Sequence, residues 1–130
     1  MKTRITLSSL PPTVNHAYGH RKNGGVYKTD AYKTWANGEG WALNRQMASQ
    51  HRWKGPVFIT VHMARPASNC DLDNRLKPLL DLLQGIGAID NDKHVMNINA
   101  GWTADLPEGV AAEIAITEAD DVPVKRRAAA

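Results

Sequence analysis

One cysteine, Cys70, stands among the 130 residues, so no disulfide can form within the chain. A domain that folds without one is expected in a reducing compartment, and a cytoplasmic protein is the plain reading. Long apolar runs are missing too. Met1-Lys2-Thr3-Arg4 leads into a short alternating segment, which fits neither a signal peptide nor a membrane span. There are no internal repeats and no linker that would divide the chain. One domain is therefore expected over residues 1–118, followed by a disordered tail over 119–130. The five histidines (His16, His20, His51, His62 and His94) show no metal-ligand spacing within one element, which argues against zinc.

What is present is ordinary in amount and uneven in placement. Hydrophobic residues make up 42% and charged residues 22%, as in a soluble domain large enough to bury a core. Residues 1–54 hold nine Lys/Arg against Asp30 and Glu39, a charge of +7, whereas the remainder holds seven against eleven, a charge of −4. A basic half joined to an acidic half suits a protein that grips a polyanion with one part and gathers cations with the other.

The elements read as follows. Lys2 to Leu7 alternates and predicts a strand, stopped by Pro11-Pro12. Thr13 to Thr29 carries Arg21, Lys22, Lys28 and the turn signal Asn23-Gly24-Gly25, which predicts a mobile basic loop or ribbon. Asp30 is the expected N-cap of a helix of about sixteen to twenty residues, with Trp35, Ala42, Leu43 and Met47 near one face. Val57 to Met63 is the clearest strand and has a central strand's pattern. Leu72, Leu76, Leu79, Leu80 and Leu83 form a helical stripe; Pro78 inside it means that the helix starts late or kinks, and Gly85 and Gly87 end it. Ile89 to Asp92 reads as a turn, His94 to Trp102 and Val110 to Thr117 as strands. The order is β-α-β-α-β-β, an α+β fold in which two helices pack a single mixed β-sheet.

The chemistry centres on the acids. Asp71-Leu72-Asp73 sits where the loop meets the second helix, so that Leu72 can turn inward while both carboxylates point out, with Asn74 beside them. Lys77 falls on the helical face of Asp73. Asp90 and Asp92 come after the helix, and a strand paired alongside Val57–Met63 would bring them back toward Asp71. Three converging carboxylates repel one another without a cation, and hard oxygen ligands favour magnesium or manganese. Such an ion beside a basic surface suits phosphodiester hydrolysis, with Lys77 orienting water or neutralising charge on phosphate. The competing account treats Asp71 or Asp73 as a helix cap and Asp90-Asn91-Asp92 as a plain turn.

Asp71-Leu72-Asp73-Asn74, then Lys77-Pro78-Leu79-Leu80-Asp81, then Ile89-Asp90-Asn91-Asp92, resembles the RusA family of Holliday-junction resolvases of bacteria and their phages. Pro11-Pro12-Thr13-Val14-Asn15, followed by Tyr18 and Tyr27, is similar to that family's opening segment, and the likeness runs from about Ile5 to Thr117. The resemblance implies a RusA-like fold and a homodimeric, magnesium-dependent endonuclease that nicks four-way junctions symmetrically in recombination and repair. It implies that the metal ligands are Asp71, Asp73 and Asp92, with Asp90 auxiliary, and that Lys77 is the important lysine. The chain departs from the family in having Asn91 between Asp90 and Asp92, and Ser68-Asn69-Cys70 where some members carry an aromatic residue or arginines.

Asn15, Tyr18, Arg21, Lys22, Tyr27, Lys28 and Asn74 are the expected DNA contacts, since basic and aromatic groups together suit backbone binding and stacking on unpaired bases. Cys70 lacks a paired base and reads as a small hydrophobe. Trp35, Trp41 and Trp53 read as core or dimer contacts. Two other functions stay open: a branched-DNA-binding module without catalysis, and a metal-dependent nuclease acting on flap DNA or RNA.

Overall fold

A computed structural model describes residues 1–125. The first strand, β1 (Lys2–Leu7), buries Thr3, Ile5 and Leu7, exposes Lys2 and Arg4 and leaves Thr6 half-buried. The basic segment then folds into a short helix, α1 (Val14–Ala17), and an antiparallel ribbon of β2 (Tyr18–His20) and β3 (Val26–Lys28). Gly24, with φ at +91°, makes the left-handed step that the ribbon's turn requires. At Gly19 the Tyr27 ring lies so close across the ribbon that no Cβ fits.

Helix α2 runs over Asp30–Met47, 18 residues. Its cap is Thr29 rather than Asp30: the Thr29 hydroxyl accepts from the Tyr32 N–H at 3.2 Å. Asp30 instead opens the first turn, where a carboxylate suits the helix dipole. The buried face is Tyr32, Glu39, Gly40, Leu43 and Met47, and Ala42 is exposed, contrary to the expected stripe. Glu39 is buried because it has work there. Its carboxylate accepts from the backbone N–H and the hydroxyl of both Ser8 and Ser9, which fixes the chain as it leaves β1.

Strand β4 (Val57–Ala64) lies inside the main sheet and buries Val57, Ile59, Val61 and Met63. Pro78 is accommodated by a late start rather than by a kink. A 3₁₀ turn over Asp73–Arg75 precedes α3 (Leu76–Gly85), so Pro78 falls in the first turn, where a missing N–H costs nothing. Leu72 and Asp73 thus lie ahead of α3, whose buried residues are Pro78, Leu79, Leu82 and Leu83. Gly87, at φ +77°, closes α3: its N–H reaches Gln84 O, and that of Ala88 reaches Leu83 O. A second 3₁₀ turn, Asp92–His94, leads into β5 (Val95–Thr103), and β6 (Ala112–Glu118) completes the fold. No helix or strand follows up to Lys125. The rest of the expected tail, residues 126–130, lies outside the described residues.

The four-stranded sheet has the order β1-β6-β4-β5, with β5 parallel to β4 and the other pairs antiparallel. It is the mixed sheet that the pattern predicts. Leu43 and Met47 of α2 and Leu79, Leu82 and Leu83 of α3 join the apolar sheet residues in one core. The other face is polar, with Lys2, Arg4, Thr60, His62 and Glu113 around one depression, which places His62 in solvent. The two sheet edges differ. Along β1, the Gln50 and Gln46 side chains each bond the backbone N–H and C=O of Arg4 and Thr6 respectively, as a further strand would. Strand β5, Val-Met-Asn-Ile-Asn-Ala-Gly-Trp-Thr, ends the sheet on the far side without charge or proline.

Candidate functional site

The crossover from β4 through α3 to β5 carries all the acids that the sequence singles out, because a parallel pair needs a long connection outside the sheet. Asp71 and Asp73 stand just before α3. Both are exposed, and neither carboxylate has a hydrogen bond or ion pair among the described residues. Asp71 lines a depression with Thr13, Asn15, Asn69, Cys70 and Asn74. Arg75 draws these walls together. It donates to Pro11 O at 2.6 Å and to the Cys70 Sγ at 3.5 Å, tying the segment after β1 to the loop before α3. Cys70 is thus half-buried against a guanidinium.

Asp92 is held otherwise. The Lys77 ammonium donates to Asp92 Oδ2 at 3.2 Å and to Asp81 Oδ1 at 2.8 Å, turning forward along α3 instead of back toward Asp73. The reason is local: Asp73 belongs to the 3₁₀ turn, whose phase does not continue into α3, while Asp81 sits one α-helical turn on. The Asp92 N–H donates to the Gln84 side chain at 3.1 Å, and Asn91 caps the 3₁₀ turn by accepting from the Lys93 N–H. Asp90 faces elsewhere, 2.6 Å from His94 Nδ1 and within reach of the Gly55 N–H. The hydrogen bond to His94 is the main reason that its carboxyl lies below the usual range. Asp90 and Asp92, two residues apart, therefore serve different neighbourhoods.

Asp81 was not among the residues chosen from the sequence, although the Lys77–Asp81 spacing signals it. Its side chain is 14% exposed, against 54% for Lys77. It also accepts from the Tyr18 hydroxyl at 2.5 Å. Burial first, then the hydrogen bond to Asp81, pushes the Tyr18 phenol far up, so it keeps its proton and acts as a donor. Tyr18 stacks on Tyr32 with ring centroids 6.1 Å apart, and burial raises the Tyr32 phenol too. The bond to Asp81 holds the Lys77 ammonium above its ordinary value, the lesser pull of Asp92 adds to it, and partial burial opposes both. Arg75 and Gln84 also escape a sequence reading, because their partners are distant or backbone groups.

Tyr18, Asn15, Val14, His20, Val26 and Lys77 line a second depression of about 320 Å³. Asn15 lines both hollows, so the one bordered by Lys77 and the one bordered by Asp71 adjoin; together they form a trough beside α1, the ribbon and α3. Among the expected DNA contacts, Asn15, Tyr18 and Asn74 line it. Arg21, Lys22, Tyr27 and Lys28 belong to the ribbon and the turn that joins its strands, where the Arg21 guanidinium lies 5.6 Å from the Tyr27 ring centre and Lys28 Nζ lies 5.1 Å from that of Tyr32. Of the tryptophans, Trp53 is core, donating to Thr3 Oγ1, Trp35 is partly buried against the core, and Trp41 is 75% exposed.

The acids are not gathered into a closed ligand set: among the described residues no three His, Cys, Asp or Glu side chains stand together so as to hold a metal ion. The donor chemistry nevertheless fits a hard dication, with oxygen ligands, two carboxylates open to solvent and a third held near the trough by a lysine. No helix among the described residues is long and apolar enough to cross a membrane.

Comparison with known proteins agrees with the motif reading. The family described as Endodeoxyribonuclease RusA matches residues 9–117. A protein of Aquifex aeolicus (strain VF5) named Crossover junction endodeoxyribonuclease RusA is 28% identical over 96 residues, covering 73% of this chain and 75% of that one. With the matched region running from just after β1 into β6, and so containing Asp71, Asp73, Asp81, Asp90 and Asp92, this chain belongs to the RusA endodeoxyribonuclease family.

Proposed function

We propose that this chain is a divalent-metal-dependent endonuclease that resolves four-way DNA junctions by paired, symmetric nicks, working as a homodimer. The observation that carries the reading is that Lys77, paired with Asp92, borders a hollow that adjoins the hollow of Asp71 at Asn15, beside a basic ribbon. Asp71, Asp73 and Asp92 would hold the ion, and Asp90, engaged by His94, is left outside the set. A bound magnesium ion, or manganese in its place, would supply water activation and charge neutralisation on the phosphate. The chain's own groups do the rest. Lys77 keeps its proton at neutral pH and donates toward a phosphate oxygen. Asn15 and Asn74 orient the strand, while Arg21, Lys22 and Lys28 attract the polyanion and Tyr27, 44% exposed, offers a ring to an unpaired base.

Two symmetric cuts need two sites, and one chain supplies one set of acids, so a two-fold pair is the economical assembly. The uncharged outer edge of β5 supports this, since the β1 edge is already satisfied by Gln46 and Gln50. Sedimentation should show a dimer that Asn99→Lys weakens, because a lysine on that edge disfavours strand pairing. A monomeric wild-type protein at micromolar concentration would remove the dimer from the proposal.

The function itself is tested by offering labelled four-way junction, flap, duplex and RNA substrates with and without magnesium. Junction cleavage that needs the metal and cuts opposite strands is expected. Binding without nicking would make the chain a recognition module, and preference for flap or RNA would move the substrate class.

A further inference from the structure

We infer that Asp81 is a positioning residue that fixes Lys77 over Asp92 and latches the ribbon to α3 through Tyr18. The proposal rests on the nuclease reading above for its kinetic consequences, and on geometry alone for the latch. One carboxylate serves two donors from separate parts of the chain: Lys77 on Oδ1 at 2.8 Å and Tyr18 on Oδ2 at 2.5 Å. Tyr18 begins the ribbon, 63 residues before Asp81, and borders the same hollow as Lys77. Lysine has a long, flexible stem, so an exposed ammonium held only by Asp92 at 3.2 Å would sample many positions. The second, shorter bond to a mostly buried anion removes that freedom. An amide in its place carries no charge; it could give its oxygen to Lys77 and its NH2 to the Tyr18 hydroxyl oxygen, so Asp81→Asn keeps the shape of the latch and removes the charge that grips the ammonium.

The expected consequences separate. Asp81→Asn should lower kcat on a junction about 10- to 100-fold, as for groups that orient metal-site residues, with KM little changed. Asp81→Glu should recover part of the rate. In a Lys77→Ala background, Asp81→Asn should cost nothing more, since a residue acting through Lys77 has nothing left to position. Tyr18→Phe should weaken metal-free junction binding more than it lowers kcat, because it frees the ribbon and leaves the Lys77–Asp81 bond intact. A readout independent of cleavage is the Lys77 ammonium NMR signal without metal, expected to be protected from exchange in the wild type and in Tyr18→Phe and clearly weakened in Asp81→Asn. Full additivity of the Asp81 and Lys77 substitutions, or an unchanged ammonium signal in Asp81→Asn, overturns the inference. If Asp81→Asn fails to fold, Asp81→Glu carries the test: its ammonium should be less protected than the wild type's, and equal protection overturns the inference. A wild-type protein that cuts no junction yet shows the protected ammonium would sink the nuclease reading and leave the latch standing.

Discussion

The two acid-bearing segments that flank α3 present the same side chain under opposite degrees of constraint. Before the helix, Asp71 and Asp73 are exposed, with their carboxylates unpaired among the described residues. After it, Asp92 is gripped through its backbone by Gln84 and through its carboxylate by Lys77, while Asp90 is drawn off by His94. The difference teaches how such a site divides its labour. One half is set by the protein's own hydrogen bonds, and the other is left open to solvent, where two like charges two residues apart favour an incoming cation. The hollow lined by Lys77 and the hollow lined by Asp71 adjoin at Asn15.

Substitutions can break that contrast at several points. The largest effect is expected from the open half. Asp73→Asn should lower cleavage about 10³-fold or more, roughly 4 kcal/mol of barrier, while junction binding holds or tightens because a negative charge near phosphate is removed. Normal cleavage by this variant would show that the open half holds no ion. On the constrained side, Lys77→Ala should cost about 10²-fold in kcat, as for other donors aimed at developing charge. A loss confined to Kd would reduce Lys77 to a phosphate contact. The smallest effect belongs to Asp90→Asn, whose exposed pairing with His94 contributes little and whose cleavage rate should stay within about threefold of wild type. An inactive Asp90→Asn would exchange the parts assigned to Asp90 and Asp92.

Much of this was legible along the chain. The late start of α3 followed from Pro78, the end of it from Gly85 and Gly87, and the central place of Val57–Met63 from its apolar alternation. Errors were local and have plain causes. Thr29 and Asp30 are both good caps, and the choice fell to Thr29, whose hydroxyl also donates to His16 O. Ala42 was assigned to the buried face of α2, yet that face carries Glu39, a residue no hydrophobic pattern would count. Placing Lys77 opposite Asp73 assumed one continuous helix, and the 3₁₀ turn breaks that phase.

By itself, then, the sequence determined the two main helices, the mixed sheet and the family motifs, since these depend on periodicity, on turn chemistry and on residues near one another in the chain. Tertiary structure alone decided which groups meet. Tyr18 reaches Asp81 across 63 residues and Arg75 reaches Pro11 across 64, and nothing in local spacing encodes either contact. It also separated Asp90 from Asp92, because two residues in a turn can point to different partners, and the direction is fixed by what the fold has packed around them: His94 for one, and Lys77 with Gln84 for the other.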